Sequence, residues 1–582
     1  MTSGQRILMH FYRIGIAVMA VILSACGSGF RAANLSSQLA SGGARAPISG
    51  QPLGSVAPEK LSCDVASQGT SEKSMRRLTK QELVNTLGSL FGADLVATAD
   101  VKLALEKIPD QNASSNAEFD NRIVDVEGLL DVAQLLVDKT FADAVRATRV
   151  FGCSGADFDQ CRILIADKFA FRALRGNVPA ELKSSVASLM SAVGGQDGLK
   201  LGAIRVLLSP YFHQHVELAA EAGTDPKRLR LTPYEVASRL AYRLTGTMPD
   251  EQLLQAAASS QLGTLTQVEA QAARLMQTPE ARAHWRRFLA DWLQAKSGVD
   301  PSELIAQEAG ITAQGFGAEA RAELLRFGEY IIFDKKGSLA DLLTDNTVFA
   351  PTDRLASVFG VAKSDMPQKS DRGFAGIILR PAKMISASVY TSPILRGVYV
   401  RKRVLCEELP SPPQDIVSSR LSEVELMPHA EYSNRDINHR VTSGSACVSC
   451  HSLINPVGFA LENFGPLGTP RAVERVYEAA GATGVTHQLK TYVDDLRLSS
   501  VATPAKDAGD LVSELVESPK SKTCFSQRLI EGTQYRHKSG LDNCVLNETN
   551  DLLHSGRPLL ESIAKSVAND GIFWKALEGV ER

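Results

Sequence analysis

Cys447-Val448-Ser449-Cys450-His451 sets two thiols three positions apart, with an imidazole directly after the second. At that spacing two thiolates can add to the two vinyl groups of a porphyrin, and the adjoining imidazole then reaches the iron as an axial ligand. The pentapeptide therefore reads as a c-type haem attachment signature, with Cys447 and Cys450 as covalent anchors and His451 as proximal ligand. A zinc site or a redox dithiol would draw on the same side chains. A structural zinc site wants a second ligand pair, however, and the chain has no second Cys-x-x-Cys. One motif implies one haem.

The opposite face of that iron needs its own ligand. Small cytochromes place a methionine downstream of the motif, but the last methionine here is Met427. His439, eight residues before Cys447, is the first candidate for the distal position, because eight residues suffice for a loop that folds back over the porphyrin. Met427 is the second, followed by His429, His487 and His537. Two protein ligands would suit electron transfer, whereas an open sixth position would admit peroxide or oxygen. Arg396, Arg401 and Arg403 read either as a solvated face or as partners for the haem propionates. His213 and His215, at strand-like spacing, read as structural.

Haem c is attached outside the bacterial cytoplasm, and the N-terminus fits that compartment. Arg6 and Arg13 flank a weakly polar start, Ile14 to Leu23 form an apolar run too short to span a bilayer, and Leu23-Ser24-Ala25-Cys26 follows. The tetrapeptide resembles a bacterial lipobox, which makes Cys26 the lipidated residue. With Gly27 and Ser28 next and no Asp at the second position, the signal resembles those sorted to the outer membrane. Lipid on one cysteine holds a protein to a membrane without a spanning helix.

Of nine cysteines, lipid and haem account for three, which leaves Cys63, Cys153, Cys161, Cys406, Cys524 and Cys544 for disulfides in an oxidising compartment. Fifteen pairings are open. Nearness along the chain favours Cys153 with Cys161 and Cys524 with Cys544, leaving Cys63 for Cys406. Each bridge would contribute about 2–4 kcal/mol.

The elements that must position these groups read as helices. A chain of 582 residues, 44% apolar and 22% charged, exceeds what one core organises, and a net charge of −2 without a basic domain argues against nucleic acid as partner. Thr79 and Glu82 form a capping-box pattern ahead of Leu83, Leu87 and Leu90, with Gly92 as the stop. Thr232-Pro233-Tyr234-Glu235 repeats the device, with Gly246 after the run. Trp285, Phe288, Leu289, Trp292 and Leu293 fall at helical spacing and read as core. Alternation suggesting long strands is scarce. Residues 414–440, polar and following Pro410, Pro412 and Pro413, read as irregular chain that delivers the motif, with Pro456 and Gly458 setting a turn after it.

The expected organisation is mainly α: a lipoprotein signal peptide (1–25), a flexible tether (26–74), helical modules over 75–150, 151–225 and 226–375, a cytochrome c-like haem module (376–475) and a C-terminal helical module (476–582). Arg76-Arg77-Leu78-Thr79 with Glu82 and Thr86, Thr232 to Leu244 with Met248-Pro249-Asp250, Ser392-Pro393 with Arg396-Gly397, and Cys447 to Arg471 together resemble the planctomycete-type cytochrome-like proteins. Those are exported bacterial chains of successive modules, mostly domains of unknown function. The resemblance implies an exported location and a haem motif, and His439 matches a histidine often found shortly before the family's cysteines. One position departs from it: Asn455 stands where the family usually has Asp.

No Gly-x-Ser-x-Gly, His-Glu-x-x-His or phosphate-cradling loop occurs, so hydrolase chemistry has no motif. The expectation is a lipid-anchored, c-type cytochrome-like protein of the bacterial cell envelope that passes electrons to a redox partner. A haem-dependent oxidoreductase and a non-catalytic surface scaffold are the alternatives.

Overall fold

The computed structural model describes residues 59–63, 75–109, 123–218, 228–295, 297–412, 414–445, 447–478, 481–534 and 538–576. The expected signal peptide, Cys26, most of the tether and His537 lie outside them. Among the described residues no helix is long and apolar enough to cross a membrane. The fold is mainly helical, and its strands form two-stranded ladders. The described residues sort into two compact units, one drawn from Pro58–Gln294, Gly328–Asp341 and Lys522–Arg582, the other from Ala295–Phe327 and Leu342–Ser521.

In the first unit, strand β1 (Met75–Arg77) leads into helix α1 (Lys80–Phe91). The capping box forms as read: Thr79 accepts from the Glu82 N–H and Glu82 from the Thr79 N–H, two amides the helix itself leaves unpaired. Gly92, at φ 102°, ends it. Helices α2 (Ile123–Phe141), α3 (Ala180–Val193) and α4 (Gly195–Leu207) pack with α1 around Leu87, Phe91, Val132, Leu136 and Leu199. Within this core Phe151 meets Phe91 and Phe169 edge-on, at 6.3 and 4.9 Å, in the arrangement that ring quadrupoles favour.

Strand β2 (Gln214–Val216) pairs antiparallel with β1 and sets His215 opposite Arg76. Beyond it, α5 (Pro233–Thr245) carries the second capping box and ends at Gly246 in the left-handed conformation. Helix α6 (Pro279–Trp292) buries Trp285, Leu289 and Trp292, the stripe read as core, and the Trp285 indole N–H donates to the Leu244 carbonyl.

Two disulfides join Cys153 to Cys161 and Cys63 to Cys544. Cys153–Cys161 forms as expected, Cα atoms 5.5 Å apart. Cys63, however, bonds Cys544, which overturns both the Cys524–Cys544 and the Cys63–Cys406 pairings. The reason is local docking. The Asn547 side-chain amide holds both the N–H and the carbonyl of Leu61, and the Asn543 amide donates to the Ser62 carbonyl, so this stretch of the expected tether lies along the helix bearing Cys544. Cys406 and Cys524 are also disulfide-bonded.

In the second unit, β3 (Thr347–Ala350) and β4 (Ser364–Lys369) form one antiparallel ladder. Helices α7 (Pro393–Tyr399), α8 (Asn434–Thr442) and α9 (Val448–Ala460) follow, and then the ladder of β5 (Val473–Glu478) with β6 (Gly481–Gln488). Residues 414–440 are not irregular chain: they hold the helix Gln414–Leu426 and the start of α8. Caps succeed there where apolar patterning is weak. The Ser433 hydroxyl accepts from the Asp436 N–H and Ser433 packs inside, so a short polar helix needs only Ile437 and Val441 as its buried stripe.

Candidate functional site

The motif forms the first turn of α9. Cys447 is its N-cap residue, and the His451 N–H closes that turn on the Cys447 carbonyl at 3.0 Å. Helical spacing places Cys447 and Cys450 side by side with His451 next to them. Both thiols are free and half-buried, and Val448 between them is 48% exposed. The other end of α9 is buried from Val457 to Ala460. One helix thus carries its three chemically capable side chains at the surface and is rooted by its far end.

That root is a backbone-to-backbone crossing with α7. A Cβ on Gly458 would fall 2.0 Å from the Pro393 carbonyl oxygen, and one on Gly397 would fall 2.3 Å from that of Ile454. The turn expected at Pro456 and Gly458 therefore does not occur. Helix α9 continues through both: Pro456 costs one rung, having no N–H to give the Ser452 carbonyl, and Gly458 is where α7 presses close.

Two of the three arginines expected at the surface or on haem propionates, Arg396 and Arg401, are instead interior clamps. Arg396 is 5% exposed and donates to the carbonyls of Leu461 (3.1 Å), Phe464 (2.8 Å), Gly465 (3.0 Å) and Met384, and to Glu462 (3.3 Å). Its cation sits where α9 ends and the last carbonyls of the helix lack partners. Burial pulls its pKa down to about 10, against the opposing charge of Glu462, so it stays charged near neutrality. Arg401, fully buried, donates to the carbonyls of Leu453 (3.0 Å), Leu496 (2.6 Å) and Arg497 (2.9 Å). It grips α9 two residues beyond His451. Arg403 is half-buried near Lys383 and Tyr399.

His451 is oriented by a relay into α8. Its Nδ1 lies 2.9 Å from Asn455 Oδ1, the Asn455 amide nitrogen donates to Thr442 Oγ1 at 2.8 Å, and that hydroxyl donates to the Asn438 carbonyl at 2.6 Å. A carbonyl only accepts, so the directions propagate back along the chain. Thr442 spends its proton on Asn438, Asn455 must present N–H₂ to Thr442, and its oxygen therefore faces His451, which must donate from Nδ1. The lone pair of the ring then resides on Nε2.

The other sequence candidates are spread around α8 and α9. His439 is exposed on α8, its ring 6.4 Å from that of Phe459, and Phe459 stands eight residues beyond His451, about 12 Å along the α9 axis. Both line a cavity of about 530 Å³. Met427 is half-buried just past the helix Gln414–Leu426. His429 stacks flat on Tyr390 at 3.7 Å, and His487 Nε2 bonds the His429 carbonyl at 2.7 Å, which brings these two together. Burial, with the charge of His487 assisting, lowers the His429 pKa to about 4. In the first unit His215 is enclosed by Glu82 at 3.5 Å and the Tyr242 ring at 4.3 Å, as a structural residue would be. Burial takes it to about 4 as well, so it is neutral, and the Glu82 charge is met by Arg76 at 3.0 Å.

The sequence offered Arg396 and Arg401 only as a solvated face or as propionate partners, not as clamps on α9, and it gave no sign that Thr442 meets Asn455. Arg396-Gly397 and Asn455 do lie in the segments that carry the family resemblance. Comparison with known proteins bears directly on those segments. Residues 375–474, which include α7, α8 and α9, match the family model PSCyt3, a protein of unknown function (DUF1588). Residues 231–361 match PSD4, a protein of unknown function (DUF1592). No curated protein and no solved structure matches the chain. Over those two stretches the chain is similar to these two families of unknown function.

Proposed function

We propose that this protein is a lipid-anchored c-type cytochrome-like carrier of the bacterial cell envelope, with one haem bound to Cys447 and Cys450, His451 as proximal ligand and Cys26 as the lipidated residue of an outer-membrane lipoprotein. The observation that carries the reading is the relay through Asn455 and Thr442, because it leaves the His451 Nε2 lone pair free while holding the ring by its other nitrogen. That is the arrangement in which a histidine binds a metal with a hydrogen-bonded second nitrogen. Two reduced, half-buried thiols on one turn suit two thioether bonds to a flat ring better than a single ion: among the described residues no three His, Cys, Asp or Glu side chains gather as a metal site.

Haem supplies one-electron transfer when bound. The chain's own part is mechanical and electrostatic. Arg401 and Arg396 fix α9 at its middle and its end, α7 braces it from behind, and Asn455 sets the ring of His451. For the distal position His439 is kept first and Met427 second on sequence grounds alone, the His439 ring lying beside Phe459 rather than beside His451. The oxidoreductase alternative draws support from the cavity beside Phe459, whose volume suits a small substrate.

Expression in a host that matures c-type cytochromes, followed by a haem-stained denaturing gel, tests the reading. A haem band at full length that Cys447→Ala with Cys450→Ala abolishes is expected, and its absence from the exported wild type would sink the proposal. Cyanide leaving the ferric spectrum unchanged is expected for the carrier, and a shifted spectrum would favour the oxidoreductase.

A further inference from the structure

We infer that the cavity beside Phe459 binds a carboxylate, with the guanidinium of Arg435 as its receiving group. Arg435 lines the cavity with His439, Phe459, Lys490, Thr491 and Tyr492. Its Nη1 is taken by two neutral acceptors, the carbonyls of Lys490 and of Tyr492, the latter at 3.0 Å. Its Nε and Nη2 have no acceptor among the described residues. The guanidinium carbon lies 4.7 Å from the centre of the Phe459 ring, so one face is covered by an apolar floor. The edge made by Nε and Nη2 is the fork that matches two carboxylate oxygens.

The charges around it do not close that fork. Asp436, which also lines the cavity, accepts from Lys490 Nζ (2.8 Å) and from the Ser433 hydroxyl (2.8 Å), both on Oδ2, and makes no hydrogen bond to Arg435 among the described residues. Asp494 bonds the Tyr492 hydroxyl, and Glu462 is held by Arg396 and Arg471, so these act on Arg435 only through space. A half-buried cation with only neutral hydrogen-bond acceptors gains most from an ionised ligand, whose hydrogen bonds are roughly twice as strong as neutral ones. About 530 Å³ is space for a small organic acid. Two sources supply that chemistry: a propionate of a haem held at the other end of α9, or a free carboxylate ligand. Only the first rests on the proposed function.

The test uses benzoate, with benzamide as its uncharged counterpart, titrated calorimetrically into full-length chain. Two proteins are compared: the matured wild type and the Cys447→Ala/Cys450→Ala variant, which has no covalent haem whatever the wild type carries. Saturable binding of benzoate but not benzamide by the double variant is expected, weakened at least tenfold by adding Arg435→Gln and less by adding Arg435→Lys. Binding by both proteins identifies a free carboxylate as the natural ligand. Binding by the double variant alone, with haem shown on the gel, identifies the propionate. Failure of benzoate to bind the double variant, or equal binding of benzamide, overturns the inference. A missing haem band would sink the proposed function and leave this result readable.

Discussion

Asn455 is the hydrogen-bond acceptor behind the His451 ring. A carboxylate at that position would pull the Nδ1 proton of His451 toward itself and enrich Nε2, which would favour ferric over ferrous iron were the proposed haem bound there, whereas the amide oxygen is a weaker acceptor. Replacing Asn455 by Asp in the matured protein is therefore expected to lower the midpoint potential in a spectroelectrochemical titration. A midpoint that stays put or rises would remove Asn455 from the electronic design. The grouping of Cys447, Cys450 and His451 on one helical turn was readable from spacing alone, since it involves only neighbouring positions. Thr442 was not readable, because it lies thirteen residues before Asn455 and its hydroxyl is like any other until α8 and α9 meet. The same holds for Arg396 and Arg401, which look like surface cations until their backbone acceptors are brought to them.

At the scale of elements, the crossing of α7 on α9 decides whether the motif turn is held rigidly. Glycine inside a helix ordinarily costs about 1 kcal/mol against alanine, so Gly→Ala in an isolated helix stabilises. Here the sign reverses. A methyl at Gly397 or Gly458 must displace backbone oxygen, and overpacking of that kind costs about 1–3 kcal/mol. Gly397→Ala and Gly458→Ala are each expected to lower the unfolding free energy read from denaturant melts by that amount, with the midpoint shifting down accordingly. A gain in stability from either would show that the helices do not touch there. The capping boxes at Thr79 and Thr232 were legible because cap and partner sit three residues apart. The helix through Pro456 was misread as a turn because proline and glycine are local breakers, and only the facing backbone of α7 explains both.

For the whole molecule, buried histidines set the response to acid. Burial, assisted by neighbouring arginines, lowers His213, His215 and His284 to about 4. In the unfolded chain each takes a proton near pH 6.5, so between that value and about 4 the unfolded state binds more protons and stability falls as pH falls. Glu217 extends the trend. Burial would raise its pKa, but Arg239 overcomes that and holds it near 2, so its contribution is lost only as pH falls further. Calorimetric melts are expected to show Tm dropping from pH 7 to pH 5 and little change from these groups above pH 7. A Tm that rises on acidification would contradict the neutral, buried histidines. The Cys63–Cys544 bridge acts at the same scale, tying together residues 481 positions apart.

The amino-acid sequence by itself determined the close spacing of Cys447, Cys450 and His451, the helical class, the capped helix starts and the Cys153–Cys161 bridge. Each depends on residues within a few positions of one another, where covalent spacing and helix periodicity dictate the geometry. Tertiary structure alone decided the partner of Cys63, the interior roles of Arg396 and Arg401, the glycine contact of α7 with α9 and the relay that points His451. Loop-closure entropy grows only with the logarithm of length, so nearness in sequence does not select among distant partners. Packing selects them, by bringing to each buried donor the acceptor it cannot be without.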